Sequence, residues 1–284
     1  MKVGSIEVLP VEYGRFKLDG GAMFGVVPKV LWEKKAPADE KNRIQMALRG
    51  MLIRTGSRNI LVDTGVGKKL SEKFLKIYGV DESRYSLSRS LQSVGLREAD
   101  ITDVVITHLH FDHAGGATLR DERGEIVPTF PRAVYYVQKR QYEWGMNPSE
   151  RDRASYFPEN YQPLARHGVL KLLDGNAEIA PGVELIQVNG HTPGQQLVHV
   201  ADAGDHLIYG GDLIPMAAHI PLPWIMSYDL FPLTTLEEKK KWLPRFVAEN
   251  WTLFYEHDPR FVATKVVRTE KGFDMGEVIL SADE

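Results

Sequence analysis

The densest chemistry in this chain lies in Thr107-His108-Leu109-His110-Phe111-Asp112-His113-Ala114-Gly115-Gly116. Three imidazoles and a carboxylate fall between positions 108 and 113, directly after the apolar run Ile101–Ile106. A half-buried strand there delivers its following residues to a strand end, where the backbone turns and sites are usually built. His108 and His110 are two apart, so in extended backbone both rings leave the same face. Asp112 and His113 follow on the turn and can face a second centre. The arrangement suits two adjacent metal ions better than one. A run of surface histidines in a polar loop is the weaker reading for this density and context.

Three more candidate ligands each sit just after a predicted strand or in a loop. His191 comes after Leu185-Ile186-Gln187-Val188, Asp212 after Leu207-Ile208-Tyr209, and His257 after Leu253-Phe254-Tyr255. Singly each is weak, since an Asp after a strand is usually a turn or cap residue. Their joint occurrence at strand ends carries the weight. Imidazoles and carboxylates without thiolates suit zinc, iron, cobalt or manganese, and donor chemistry alone does not choose among them. A catalytic zinc keeps three protein ligands and an open position. Seven ligands with one carboxylate shared serve two divalent ions about 3.5–4 Å apart, which can hold a bridging hydroxide at neutral pH.

These side chains need a scaffold, and the chain can supply one. Its 284 residues suffice for a sizeable core, and no low-complexity linker divides them, so one α/β domain over 1–284 is expected. Strands are predicted at Val3–Tyr13, Ile44–Ile53, Asn59–Val62, Ile101–Thr107, Ala133–Val137, Val183–Val188 and His206–Tyr209, with a closing hairpin around Lys271-Gly272. Helical spacing covers Lys68–Tyr78, Ser86–Val94 and Thr234–Asn250, the last capped by Thr234 or Thr235 with Glu237 and Glu238 at its positive end. Gly and Pro interrupt Ala22–Trp32, which reads as a loop rich in large side chains. Met146–Gln162 reads as an irregular insertion. A net charge of −3 gives no general attraction for nucleic acid or anionic membranes. Without cysteine there are no disulfides and no thiolate ligands. No signal peptide or membrane-spanning run is evident, so a soluble cytoplasmic protein is the expectation.

The series His108, His110, Asp112, His113, His191, Asp212 and His257 resembles the ligand set of the metallo-β-lactamase-fold hydrolases. Ile60-Leu61-Val62-Asp63-Thr64-Gly65 is similar to an early motif of that superfamily and Gly190-His191-Thr192-Pro193-Gly194 to a later one. The resemblance, from about Arg49 to His257, implies an αββα sandwich of two mixed sheets flanked by helices, with the dimetal site at one edge. It further implies that His108, His110 and His191 bind one metal, Asp112, His113 and His257 the other, and that Asp212 bridges them. Asp63 matches a supporting position that orients the histidine loop.

Fold alone does not set the reaction. The absent cysteine excludes β-lactamase subclasses with a cysteine ligand. Asp112, without a Glu at position 110, departs from the diiron flavoprotein pattern and favours hydrolysis. Residues 20–28, 211–219 and 223–229 resemble the quorum-quenching N-acyl-homoserine lactone lactonases, especially their YtnP-like branch. Methyl-parathion-hydrolase-like phosphotriesterases share much of that framework, so a phosphotriesterase or arylesterase is the alternative expectation. The resemblance implies lactone opening by a metal-bridging hydroxide, with zinc the first choice, a small lactone or ester as substrate, and often a homodimer. The best-known lactonases place a Tyr three residues after the bridging Asp, where this chain has Pro215. The expectation passes that role to His219, Tyr228 or metal-bound water, with Asp112 relaying a proton. Met23, Phe24, Val26, Trp32, Ile220, Trp224, Met226 and Phe231 are candidates for an apolar wall receiving an acyl chain, or equally for core or dimer contacts. His167, His199 and His206 have no motif around them and are read as ordinary histidines.

Overall fold

The computed structural model describes residues 1–282 and shows two seven-stranded sheets packed face to face. The first holds β1 (Lys2–Val3), β2 (Ile6–Asp19), β3 (Arg43–Thr55), β4 (Arg58–Val62), β5 (Asp103–Val105), β8 (Val134–Gln138) and β9 (Leu170–Leu173), in that order. β6 (Thr118–Arg120) and β7 (Ile126–Pro128) form a separate hairpin. The second sheet runs in order through β10 (Ala177–Ala180), β11 (Val183–Val188), β12 (Gln195–Asp202), β13 (Asp205–Tyr209), β14 (Thr252–Phe254), β15 (Phe261–Thr269) and β16 (Gly272–Ser281). β4, β5, β8 and β9 run parallel, as do β13 and β14, and the other neighbours are antiparallel. Both sheets are therefore mixed.

Alternation along each strand sorts side chains into layers. Met51 and Ile53 of β3, Ile60 and Val62 of β4 and Val105 of β5 face the second sheet. Val198 and Val200 of β12 and Leu207 and Tyr209 of β13 meet them from the other side. Leu52, Leu61 and Val104 point outward, to a layer that includes α1 (Gly20–Phe24), α2 (Lys29–Trp32), α3 (Glu72–Tyr78), α4 (Leu87–Ser93), α5 (Phe111–Ala114), α6 (Lys139–Met146) and α7 (Gln162–Arg166). Ile186, Leu197 and Ile208 meet Trp242, Leu243 and Phe246 of α8 (Pro232–Ala248) on the opposite outer face. The expected sandwich of two mixed sheets between helices is what forms. No described helix is long and apolar enough to cross a membrane.

Several elements differ from the sequence reading. The first expected strand is a hairpin, β1 turning through Gly4 at φ +55° into a β2 that continues to Asp19. Its extra length is held by β3, with Leu18 opposite Ile44 and Asp19 opposite Arg43. The segment 22–32 is not open loop. Asp19 caps α1 by accepting from Ala22 N at 2.8 Å, and α2 follows Pro28. The α8 helix starts two residues earlier than expected because Pro232 takes its first position, where a missing N–H costs nothing. Neither threonine caps it. Glu238 accepts from Asn189 N (2.6 Å) and Gly190 N (3.1 Å), fixing the turn before His191 rather than the helix end. β12 escaped the sequence reading because it opens on Gln195 and Gln196, both fully buried.

Candidate metal centre

Every expected ligand leaves the end of a strand on one edge of the sandwich. β5 leads to His108 and His110, and the short helix α5 (Phe111–Ala114) presents Asp112 and His113. β11, β13 and β14 deliver His191, Asp212 and His257 from the second sheet. Two sheets with their own cores thus bring distant segments together. The α5 turn needs its glycines: a Cβ on Gly116 would sit 2.2 Å from Thr64 O. Asp63, held at φ +56°, spans the gap beneath the turn. Its Oδ1 accepts from Thr107 N and its Oδ2 from Thr107 Oγ1, both at 2.7 Å. Tyr13 OH donates to its carbonyl at 2.8 Å, so a conformation that costs about 1–3 kcal/mol is over-determined by its contacts.

The side chains form two clusters that share Asp212. In one, His108 Nε2 and His191 Nε2 lie 3.0 and 3.1 Å from His110 Nδ1. Asp212 Oδ2 is 3.2 Å from His191 Nε2 and 3.8 Å from His108 Nε2. In the other, His257 Nε2 is 3.3 Å from His113 Nε2 and 3.4 Å from Asp212 Oδ1. Asp112 Oδ2 completes it, 3.6 Å from His257 Nε2 and 3.7 Å from His113 Nε2. All seven side chains are buried.

The far nitrogen of each ring fixes which lone pair faces the centre. His191 Nδ1 donates to Asp229 Oδ1 at 2.8 Å, and His257 Nδ1 to Ala47 O at 2.9 Å. Thr107 Oγ1, having given its proton to Asp63, accepts from His108 Nδ1 at 3.1 Å. His113 Nδ1 faces Asp63 Oδ2 at 3.1 Å and Glu256 Oε2 at 2.9 Å. When these four rings are neutral their protons sit on the outward nitrogens, and the Nε2 lone pair of each turns to the centre. Asp212 Oδ1 is buried without a hydrogen-bond donor. That pattern is repulsive by itself and fits cations set between the donors. Two such donor groups are present among the described residues: His108, His110, His191 and Asp212; and His113, Asp212, Glu256 and His257.

The electrostatics follow from the burial. Burial, then the adjacent imidazoles, hold His108 and His110 well below the ordinary histidine range, so both stay neutral bases. Burial also pulls on His257, but Glu256 and Asp212 outweigh it and push the ring up to about 9. Asp212 lies well below the carboxylate range: burial raises it, and His113 and His191 more than reverse that.

The clusters open on a cavity of about 370 Å³. His110, Asp112, His191, Asp212 and His257 form its floor. Leu18, Met23, Met46, Phe111 and Met226 give it an apolar side, and Tyr78, Arg151, Ser155, Ser227 and Tyr228 a polar one. Of the residues expected to face substrate, Met23, Met226 and Tyr228 are here and the others are not. Phe24 is fully buried behind the wall, stacked on Trp32 at 5.3 Å and on His219 at 4.9 Å. Trp224 meets Phe24 edge-on, and Ile220 packs under α8. Val26, 92% exposed, and Phe231, 42% exposed, lie on the outer surface. Phe24, Trp32, Trp224 and Ile220 share one cause: large side chains in irregular segments bury wherever the helix layers leave room, and the nearest room is the core. His219 is corrected likewise: its Nε2 donates to Met23 O at 2.8 Å, so it braces the wall and does not line the cavity. Burial holds its pKa down near 4.

The sequence reading missed Asp229, Glu256 and the cavity residues Tyr78 and Arg151. Glu256 left one signal, an acid directly before His257 at the end of an apolar strand.

Comparisons with known proteins agree with this geometry. Residues 50–257 match the model of the metallo-beta-lactamase superfamily. An N-acyl homoserine lactonase from a Bacillus species is 32% identical over 120 residues, 42% of this chain and 41% of that protein. Another, from Bacillus cereus, is 27% identical over 164 residues, covering 55% and 58% of the two chains. The chain therefore aligns with only about half the length of these curated relatives. A probable metal-dependent hydrolase from Staphylococcus aureus superposes with a TM-score of 0.90 at 33% identity, over 99% of this chain and 98% of that one. AidC, a dizinc quorum-quenching lactonase, superposes with a TM-score of 0.81 at 23% identity over 99% and 97%, a likeness of fold. With its family model matched over most of the chain and its donors gathered at the sheet edge, the protein belongs to the metallo-beta-lactamase superfamily.

Proposed function

We propose that this protein is a dinuclear metal-dependent hydrolase that opens lactone rings, with N-acyl-homoserine lactones as its substrates. The observation that carries the reading is two donor clusters sharing Asp212 at the floor of a half-apolar cavity of about 370 Å³. In this reading His108, His110 and His191 hold one divalent ion, Asp112, His113 and His257 the other, and Asp212 both. Zinc at these positions supplies a nucleophilic hydroxide at neutral pH and a Lewis acid for the carbonyl oxygen.

The chain's own groups do the rest. Met23, Met46 and Met226 accept the acyl chain, since flexible thioethers fit variable apolar groups. Asp112, beside the reacting centre, accepts and relays a proton at the carboxylate oxygen not turned to His113 and His257. Tyr228 donates its phenolic proton to the departing ring oxygen. Burial, then the charges of Asp19 and Asp112, raise its pKa well above the phenol value, so it arrives protonated at neutral pH. Tyr228 stands in for the tyrosine that Pro215 displaces. The exposed Val26, Val30 and Leu31 form our candidate contact for a homodimer, and the compartment we assign is the cytoplasm.

The test is a substrate panel on metal-quantified protein, with Asp212→Ala as control. The expected result is a kcat/KM for acyl-homoserine lactones well above that for aryl esters and organophosphate triesters, and lost on chelation. Higher efficiency on the triesters would overturn the lactonase reading in favour of a phosphotriesterase.

A further inference from the structure

Glu256 is fully buried, and the one basic nitrogen in ion-pair reach of it among the described residues is His113 Nδ1, at 2.9 Å. Asp63 Oδ2 faces the same nitrogen at 3.1 Å. That nitrogen is hydrogen-bonded to Asp63, and neither Glu256 oxygen has a hydrogen-bond partner among the described residues. Among the described residues neither acid has a Lys or Arg within 4.0 Å. Two unbalanced buried charges are costly, and they persist where a nearby cation offsets them.

Glu256 lies against His113 beside this cluster. The ring's Nε2 faces His257 and Asp112, while Nδ1, the atom Glu256 meets, is turned to Asp63. A Glu256 carboxylate oxygen lies within 4.8 Å of donor atoms of His113, His257 and Asp212, so its charge bears on that cluster. The other cluster has fewer acids behind it. His108 leans on the neutral Thr107 hydroxyl, His110 Nε2 has no partner, and only His191 has a carboxylate behind it, Asp229. Apart from the shared Asp212, three carboxylates surround the His113–His257 cluster (Asp112, Asp63 and Glu256) and one serves the His108–His110–His191 cluster.

We propose that Glu256 is a positioning residue that makes the two centres unequal. Its buried carboxylate, set against His113, causes the Asp112–His113–His257 centre to hold its divalent cation more tightly than the His108–His110–His191 centre does. The inference rests on the dinuclear reading above.

The test is equilibrium zinc binding to the metal-stripped full chain, in competition with a chromophoric chelator, followed by stoichiometry and affinity rather than turnover. Wild type is expected to take two equivalents in resolved steps. Glu256→Gln, which keeps the shape and removes the charge, should weaken the tighter step by about 10–100-fold and leave the other unchanged. In a His110→Ala background the remaining equivalent should weaken with Glu256→Gln, and in a His257→Ala background it should not. Asp229→Asn should weaken the looser step. Glu256→Asp, which retracts the carboxylate from Nδ1, should shift the tighter step the same way by less, and it serves if the Gln variant does not fold. Two equivalents bound by Glu256→Gln as tightly as by wild type would overturn the proposal. So would equal weakening of both steps, the mark of a purely structural role. Fewer than two equivalents in wild type would sink the dinuclear reading itself, and this inference with it.

Discussion

Two histidine clusters occupy this molecule, and only one is built as a site. At the sheet edge His108, His110, His113, His191 and His257 meet with imidazole nitrogens 3.0–3.3 Å apart, around Asp212 and beneath a cavity. Elsewhere His199 Nε2 meets His206 Nδ1 at 3.1 Å, the same spacing. There the rings lie flat: His199 stacks on Trp251 at 4.1 Å and 7°, and Arg245 covers the indole at 4.8 Å. Glu184 Oε2, at 3.5 Å, is the acid within ion-pair reach of His199. Close histidine nitrogens alone do not make a metal site. What separates the clusters is convergence of lone pairs on shared carboxylates, as opposed to ring faces spent on packing.

The comparison can be broken by mutating each side. Asp212→Ala removes the shared carboxylate, and kcat/KM should fall by at least about 10²–10³-fold, with metal content reduced. His199→Ala should leave turnover per folded molecule within about twofold. If the two variants lose activity equally, the distinction fails. Tyr228→Phe should cost about 10²-fold on alkyl lactones, whose leaving oxygen needs a proton, and far less on aryl esters with good leaving groups. Equal losses on both would assign Tyr228 to binding instead of proton donation. Asp63→Asn, which weakens the clamp on Thr107 and His113, should lower metal affinity by about 10–100-fold, read by chelator competition. On the packing side, Trp251→Ala should destabilise the fold by about 3–5 kcal/mol with unaltered kcat/KM at temperatures where it stays folded. A thermal melt beside a rate assay checks both.

The built cluster was legible in the sequence because its first four ligands fall within six residues, with spacing that a strand and turn convert directly into direction. His191, Asp212 and His257 were legible because each closely follows a short, largely apolar run. The two supporting acids were not. Asp229 lies in an irregular stretch whose path is set by contacts such as Leu230 N to His191 O at 3.0 Å. Glu256 looks like any charged residue until the fold turns it behind His113. The cavity walls were partly legible: Met23 and Met226 line the site, whereas Phe24 and Trp32, from the same kind of segment, went to the core. No local pattern distinguishes them, because the choice is made by what packs around them. β12 shows the converse. Its glutamines look wrong for a buried strand, yet Gln196 Nε2 donates to Ile106 O (2.9 Å) and Tyr136 O (3.1 Å), joining the sheets at the site's edge.

The smallest effect is also the sharpest probe of the packed cluster, because it is read in pH and not in rate. Burial lowers the pKa of His199, opposed by Glu184 and reinforced by His206 and Arg245. A histidine with a depressed folded-state pKa binds its proton first in the unfolded chain. The stability it permits is whole above the unfolded value near 6.5 and is lost as pH falls toward the folded-state value. His199→Phe keeps a ring against Trp251 and removes the proton. Its unfolding free energy, measured by denaturant titration, should decline less steeply than wild type from about pH 6.5 downward, with the two curves parallel above pH 7. Matching declines in both proteins would mean that this ring is not protonated on unfolding. The stack would then have to be explained by aromatic packing alone.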